Sequence, residues 1–211
     1  MAVVNHHHKW LYLMEPHTAS RCTRRALRKI GHTANVGHQH IGLPELTSWR
    51  RTHLDPKQIH GYAIMCTVRN PFDVLITRWK VGAFREGRFQ EHVDAMKDNK
   101  SMDQPLLGLW KECNNFVYYE DLQEDLEWVF RGHPIELERR PSETTEMKNK
   151  PWQEYYEGQD AIVTYLMSQY GMFLKKFGYQ IEYQGGHLEL VDIDKDTRAV
   201  RTRPAHDVVV R

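Results

Sequence analysis

The sequence predicts an α/β fold in which a parallel sheet is covered by helices on both faces, with a β-hairpin added at the C-terminal end. Three observations carry this reading. Apolar runs of strand length alternate with helical patterns. GYAIMCTV (61 to 68) is predominantly apolar and free of charge, as a buried strand requires. The tail HLELVDIDKDTRAVRTR has hairpin character. The chain has 211 residues, 40% of them hydrophobic, enough for one domain with a core of its own. The predicted division is an α/β domain over 1–184 and a hairpin or tail over 185–211.

KWLYLM (9 to 14) is a short apolar run ended by Pro16. TASRCTRRALRKIG (18 to 31) follows with helix formers and a closing Gly31, so the order is strand, loop, helix. A weaker strand is expected near TANVGH (33 to 38). After the strong strand at 61 to 68, Pro71 at the first position of a helix opens PFDVLITRWKVGAFREG. RFQEHVDAMKDN and QPLLGLWKECN read as helices, NFVYY (115 to 119) as a buried strand, and EDLQEDLEWVFRG as a helix ended by Gly132 and Pro134. ERRPSETTEMKNKP (138 to 151) is polar and aperiodic, a loop or lid. QDAIVTYLMSQYGMFLKKFG (159 to 178) is a long amphipathic helix stopped by Gly178.

Lys and Arg total 29 against 28 Asp and Glu, a formal net charge of +1. Such a balance gives no general attraction to nucleic acid or to an anionic membrane, so any anion site must be local. No window reaches the roughly 18 apolar residues of a membrane helix. The three cysteines, Cys22, Cys66 and Cys113, are odd in number and far apart, and no apolar leader-like segment stands at the N-terminus. Together these predict a cytoplasmic protein. The run His6-His7-His8 receives no functional assignment from sequence.

Two stretches have the form of anion sites at strand ends, where helix N-termini present unpaired N–H groups. In EPHTASRCTRRAL (15 to 27) the small residues Thr18, Ala19 and Ser20 let the backbone turn about an oxyanion, and Thr18, Ser20, Arg21 and Thr23 add donors. A helix cap at Thr18 or Ser20 would explain the same residues. In CTVRNPFDVLITRWK (66 to 80), Arg69 ends the strand and Thr77 follows two helical turns on, a guanidinium fork and a hydroxyl suited to one phosphate. A structural salt bridge would explain Arg69 alone.

In combination these stretches resemble the sulfotransferases that use 3′-phosphoadenosine 5′-phosphosulfate (PAPS). VRNPFDVLITRW is similar to the family's 3′-phosphate segment, and EPHTASRCTRRAL to its 5′-phosphosulfate loop, written Pro-Lys-Thr-Gly-Gly-Thr-Ser. FVYYEDL is similar to its Tyr-Glu-Asp-Leu strand end, and PWQEYYEGQDAIVTYLMSQYGMFLKKFGY to its C-terminal helix ending in Phe-Gly-Tyr. The four landmarks stand in the family's order across residues 9 to 180. The resemblance implies a P-loop-like three-layer α/β/α domain around a central parallel sheet.

It also implies a mechanism of in-line sulfuryl transfer from PAPS to an acceptor hydroxyl, with no metal. His17, Thr18, Ala19, Ser20, Arg21, Cys22 and Thr23 would hold the 5′-phosphosulfate, Arg69 and Thr77 the 3′-phosphate, and Lys148 and Lys150 a basic loop over the cofactor. His17 stands where the family has lysine; a protonated imidazole would supply the same charge. GHQHIGLPEL (37 to 46) is similar to the His-x-His-Val stretch of uronyl 2-O-sulfotransferases, which makes His40 the expected base and His38 the next choice. Surface or packing histidines explain the same pair. Zinc held by His38 and His40 with His32 or His53 lacks the partner motifs that usually close a tetrahedral site, and no metal is expected. Glu120 and Asp121 read as caps of the next helix, with Tyr119 packing.

The expected partner is a small-molecule or carbohydrate acceptor, with neither nucleic acid nor membrane involved. Two other classes remain: a nucleotide-binding protein of the same fold that transfers nothing, and a P-loop-like kinase. The kinase lacks the Walker lysine and the Asp for magnesium.

Overall fold

The computed structural model describes residues 2–36, 61–81, 89, 91, 93–94, 108–138, 151–184 and 187–193. They fall into two compact units, one within Met1–Arg69 and Leu106–Arg140, the other within Asn70–Pro105 and Pro141–Ala199. The fold is mixed α/β, with a five-stranded sheet, a separate hairpin and four helices among the described residues.

The first unit holds the sheet. Its strands are β1 (Ala2–Asn5), β2 (Trp10–Leu13), β3 (Thr33–Val36), β4 (Ala63–Val68) and β5 (Asn115–Tyr118), in the spatial order β3-β1-β2-β4-β5. β2 pairs parallel to β4 (Leu11 opposite Ile64) and β4 parallel to β5 (Cys66 opposite Phe116). β1 pairs antiparallel to both β2 and β3. The expectation of a wholly parallel sheet is therefore corrected: the sheet is mixed, and β1 was not foreseen. Its physical reason lies in the hairpin formed by residues 2–13. β1 occupies the edge of β2 that the chain returning from the first helix would otherwise take, so β3 pairs with β1 instead. Being antiparallel to the same neighbour, β3 runs in the direction of β2, and β1 alone of the five runs against the rest.

Helix α1 (Ser20–Arg28) buries Thr23, Ala26 and Leu27 and turns its arginines outward. Leu27, Ile30, Trp10, Tyr12, Met65, Val117, Leu126, Val129 and Phe130 meet in one buried cluster, with the Trp10 and Phe130 rings edge to face at 5.0 Å. Full burial of each such side chain stabilises by about 1.5–3 kcal/mol. After β5 the chain enters a short helix over Leu122–Val129, called α3 below. Its Asp125 is buried and accepts the Tyr118 N–H at 2.7 Å, tying the helix back to the strand it follows.

In the second unit, helix α2 (Pro71–Val81) starts at the predicted proline, and the Asn70 side-chain oxygen caps it by accepting the Phe72 N–H at 3.0 Å. Tyr156, from a 3-10 turn over Trp152–Tyr156, is fully buried and donates its hydroxyl proton to the Phe72 carbonyl at 2.9 Å, edge-on to the Phe72 and Phe89 rings. Helix α4 (Asp160–Lys176) is released by Gly178 at φ 71 into the hairpin of β6 (Tyr179–Gln184) and β7 (His187–Ile193). The hairpin thus begins at 179, earlier than the predicted 185, because the strand starts directly after the helix stop.

Candidate anion site at the ends of β2 and β4

β2 and β4 are adjacent and parallel, so the turn that leaves β2 and the arginine that ends β4 lie at the same edge of the sheet. After Leu13 the chain runs through Met14, Glu15 and Pro16 into a turn where His17 (φ 59) and Ala19 (φ 58) are both left-handed. Such a conformation costs a residue bearing a Cβ about 1–2 kcal/mol. Hydrogen bonds from three directions hold the turn. The Thr18 hydroxyl donates to the Glu15 carbonyl at 2.7 Å, and the Leu109 N–H donates to Glu15 Oε2 at 3.2 Å. Arg69 Nη1 donates to the His17 carbonyl at 2.5 Å.

Arg69 is 7% exposed, and its guanidinium lies over the Tyr119 ring, 3.8 Å from the centroid. Tyr119 sits just past β5, with its N–H continuing the ladder to the Val68 carbonyl at 2.9 Å. The arginine at the end of the apolar strand thus faces the β2 turn and is backed by an aromatic ring.

From Ala19 onward the turn becomes α1. Ala19 is the N-cap residue and carries no side-chain cap, so neither Thr18 nor Ser20 caps the helix. The first N–H groups of any α-helix lack intrahelical acceptors and point outward from its start. Thr18 is buried with its proton committed to Glu15, Ser20 is half-buried, Arg21 exposed, and the half-buried Cys22 thiol donates to the Ala19 carbonyl at 3.0 Å. The Thr23 hydroxyl is buried without a hydrogen-bond partner among the described residues. Arg25 on α1 and Lys29 just past its end reach Glu138 at 4.0 and 3.3 Å.

His17 through Thr23 and Arg69 are therefore brought together in the first unit. Thr77 is half-buried on α2 in the second unit. His38, His40, Lys148 and Lys150 lie outside the described residues. Asp121 holds the N-cap position of α3 but makes no side-chain cap, so the predicted capping role of that carboxylate is corrected. Asp125, four residues on, is the acid that bonds the backbone. Sequence reasoning gave no part to Glu15, which is 2% exposed and anchors the turn. The available signal was an acid set directly after a wholly apolar strand.

Among the described residues no helix is long and apolar enough to cross a membrane. No group of three or more His, Cys, Asp or Glu among them is gathered as a metal ion would need. No protein-family model, no curated protein and no solved structure matches the chain.

Proposed function

We propose that this chain is a sulfotransferase that moves a sulfuryl group from PAPS to an acceptor hydroxyl, on a P-loop-like three-layer fold. The observation that carries the reading is the hydrogen bond from Arg69 to the His17 carbonyl, which joins the exits of two adjacent parallel strands at one turn. A turn with left-handed residues, opening a helix whose first N–H groups lack intrahelical partners and flanked by Arg21 and Arg69, is chemistry suited to a phosphate or phosphosulfate.

In this reading the turn at 17–23 binds the 5′-phosphosulfate, and Arg69 serves the 3′-phosphate. The acceptor oxygen attacks sulfur as the bond from sulfur to the 5′-phosphate oxygen breaks. The acceptor proton passes to His40, and 3′-phosphoadenosine 5′-phosphate departs as the second product. Positioning and electrostatics supply most of the acceleration, as in phosphoryl transfer.

The test is a thermal-shift and calorimetric titration with 3′-phosphoadenosine 5′-phosphate, since a ligand that binds only the native state raises its melting temperature. No shift at millimolar ligand rejects the reading. His40→Ala is expected to keep nucleotide binding and lose turnover; normal turnover rejects the base assignment. A second reading, nucleotide binding without transfer, is favoured by the histidine at position 17 and by the engagement of Arg69 with a protein carbonyl and an aromatic ring. Consumption of PAPS in the presence of mixed acceptors separates the two.

A further inference from the structure

The opposite end of β2 gathers histidines from three places in the chain. His6, His7 and His8 form the turn between β1 and β2, His32 precedes β3, and His133 follows α3. The register explains the first two groups: Asn5 stands opposite Trp10 on one side and Thr33 on the other, so the β1–β2 turn and the turn before β3 share one edge. Asn5, fully buried, fastens them. Its side-chain oxygen accepts the His8 N–H at 2.9 Å, and its amide donates to the Gly31 carbonyl at 2.8 Å.

The imidazoles lie close in sequence-distant pairs. His7 and His32 have ring centroids 5.1 Å apart, His8 and His133 5.4 Å, and His7 and His8 4.7 Å. His6 is drawn aside, its Nδ1 2.9 Å from the Tyr62 hydroxyl. Two imidazoles on one zinc ion, with Zn–N distances of about 2.0–2.1 Å and a tetrahedral angle, place their centroids about 5 Å apart. His7 and His32 already have that separation. Both side chains are exposed, so their rings can turn a nitrogen inward on the picosecond to nanosecond scale. No three of these groups enclose an ion as they stand.

We propose that His7 and His32 form a two-histidine site for a divalent transition-metal ion of the zinc type, with water completing the coordination. The ion would clip the β1–β2 turn to the turn before β3. The pair supplies neutral nitrogen donors, which suit zinc, copper and nickel and not calcium or magnesium. Two protein ligands on exposed side chains make an open site whose remaining positions water fills. The site shares no residue with the turn at 17–23 and stands or falls apart from the sulfuryl-transfer reading.

Calorimetric titration of the full chain with zinc chloride alone, near neutral pH in a non-chelating buffer, tests it. Wild type should bind zinc in the micromolar range, and His7→Ala and His32→Ala should each weaken binding by at least about tenfold. Melting curves without metal verify that both variants fold. Wild type without micromolar zinc binding, or wild-type affinity in either variant, would overturn the proposal.

Discussion

Removing the Arg69 guanidinium tests two roles at once, because the same group holds the β2 turn and is proposed to meet a phosphate. Its bond to the His17 carbonyl is charge-assisted, a class whose net contribution is about 1.5–3 kcal/mol. The Tyr119 ring beneath it, at 3.8 Å in a site where the arginine is 7% exposed, adds about 0.5–2 kcal/mol. Arg69→Ala is therefore expected to destabilise the protein by about 3 kcal/mol, a large part of a typical stability of about 5–15 kcal/mol. With a urea slope of about 1–3 kcal/mol per molar, the unfolding midpoint should fall by at least about 1 M. Nucleotide affinity should fall by about 2 kcal/mol, roughly thirtyfold, in calorimetry with 3′-phosphoadenosine 5′-phosphate.

Arg69→Lys keeps a charge but gives up the planar fork and most of the stacking on Tyr119. It should recover about half of the lost stability while leaving nucleotide affinity low, since bidentate recognition of phosphate is what lysine lacks. An Arg69→Ala protein within about 0.5 kcal/mol of wild type would show that the guanidinium does not hold the turn. Unchanged nucleotide affinity in a folded Arg69→Lys protein would remove the phosphate role.

Ala19→Gly should stabilise by about 0.5–1 kcal/mol in urea unfolding, since glycine accepts φ 58 without the Cβ penalty and only part of that gain is lost to chain entropy; a destabilised variant would contradict the left-handed turn. Asp125→Ala removes the bond from the buried Tyr118 N–H to the carboxylate and should cost about 1–3 kcal/mol, whereas a neutral result would deny the α3-to-β5 tie. Burial raises the Tyr12 and Tyr156 phenols well above 10.0, a hydrogen bond with Thr67 opposing it at Tyr12 and Asp73 adding to it at Tyr156. The folded state therefore keeps these protons longer than the unfolded chain does, so stability is intact below about pH 10 and falls as pH rises beyond it. Tyr156→Phe should flatten that alkaline loss in melting curves, and an unchanged slope would show that Tyr156 does not contribute.

What the sequence disclosed was local. Pro71 and Asn70 set the start of α2 through fixed φ and a side-chain cap, and both can be read from neighbouring residues. Gly178 ends α4 for the same kind of reason. What it concealed depended on pairing across distance. β1 is four residues long and followed by three histidines, so its apolar pattern is too short to register. Once present, it changes the partner of β3 and turns a parallel sheet into a mixed one. Glu15 drew no assignment because its partner, the Leu109 N–H, is 94 positions away. His7 meets His32, and His8 meets His133, only through the sheet register and the packing of α3, neither of which a spacing rule encodes.

The placement of Glu15 and Arg69 bears on how the turn would work with a ligand. A buried acid and a buried arginine act on the same five-residue turn, and both do so through the backbone: the arginine by way of the His17 carbonyl, the acid by way of the Leu109 N–H. Each left-handed residue raises the energy of the turn by about 1–2 kcal/mol, so a turn holding two of them persists only where its surroundings over-determine it. Thr18, Arg69 and Leu109 supply that support from within the protein. An anion arriving at the start of α1 would then meet N–H groups already aimed, and the ordering entropy that weakens binding to a flexible loop would have been met in folding. The strain and the arginine are thus parts of one device, in which Arg69 shapes the turn and its charge adds to the field the turn presents.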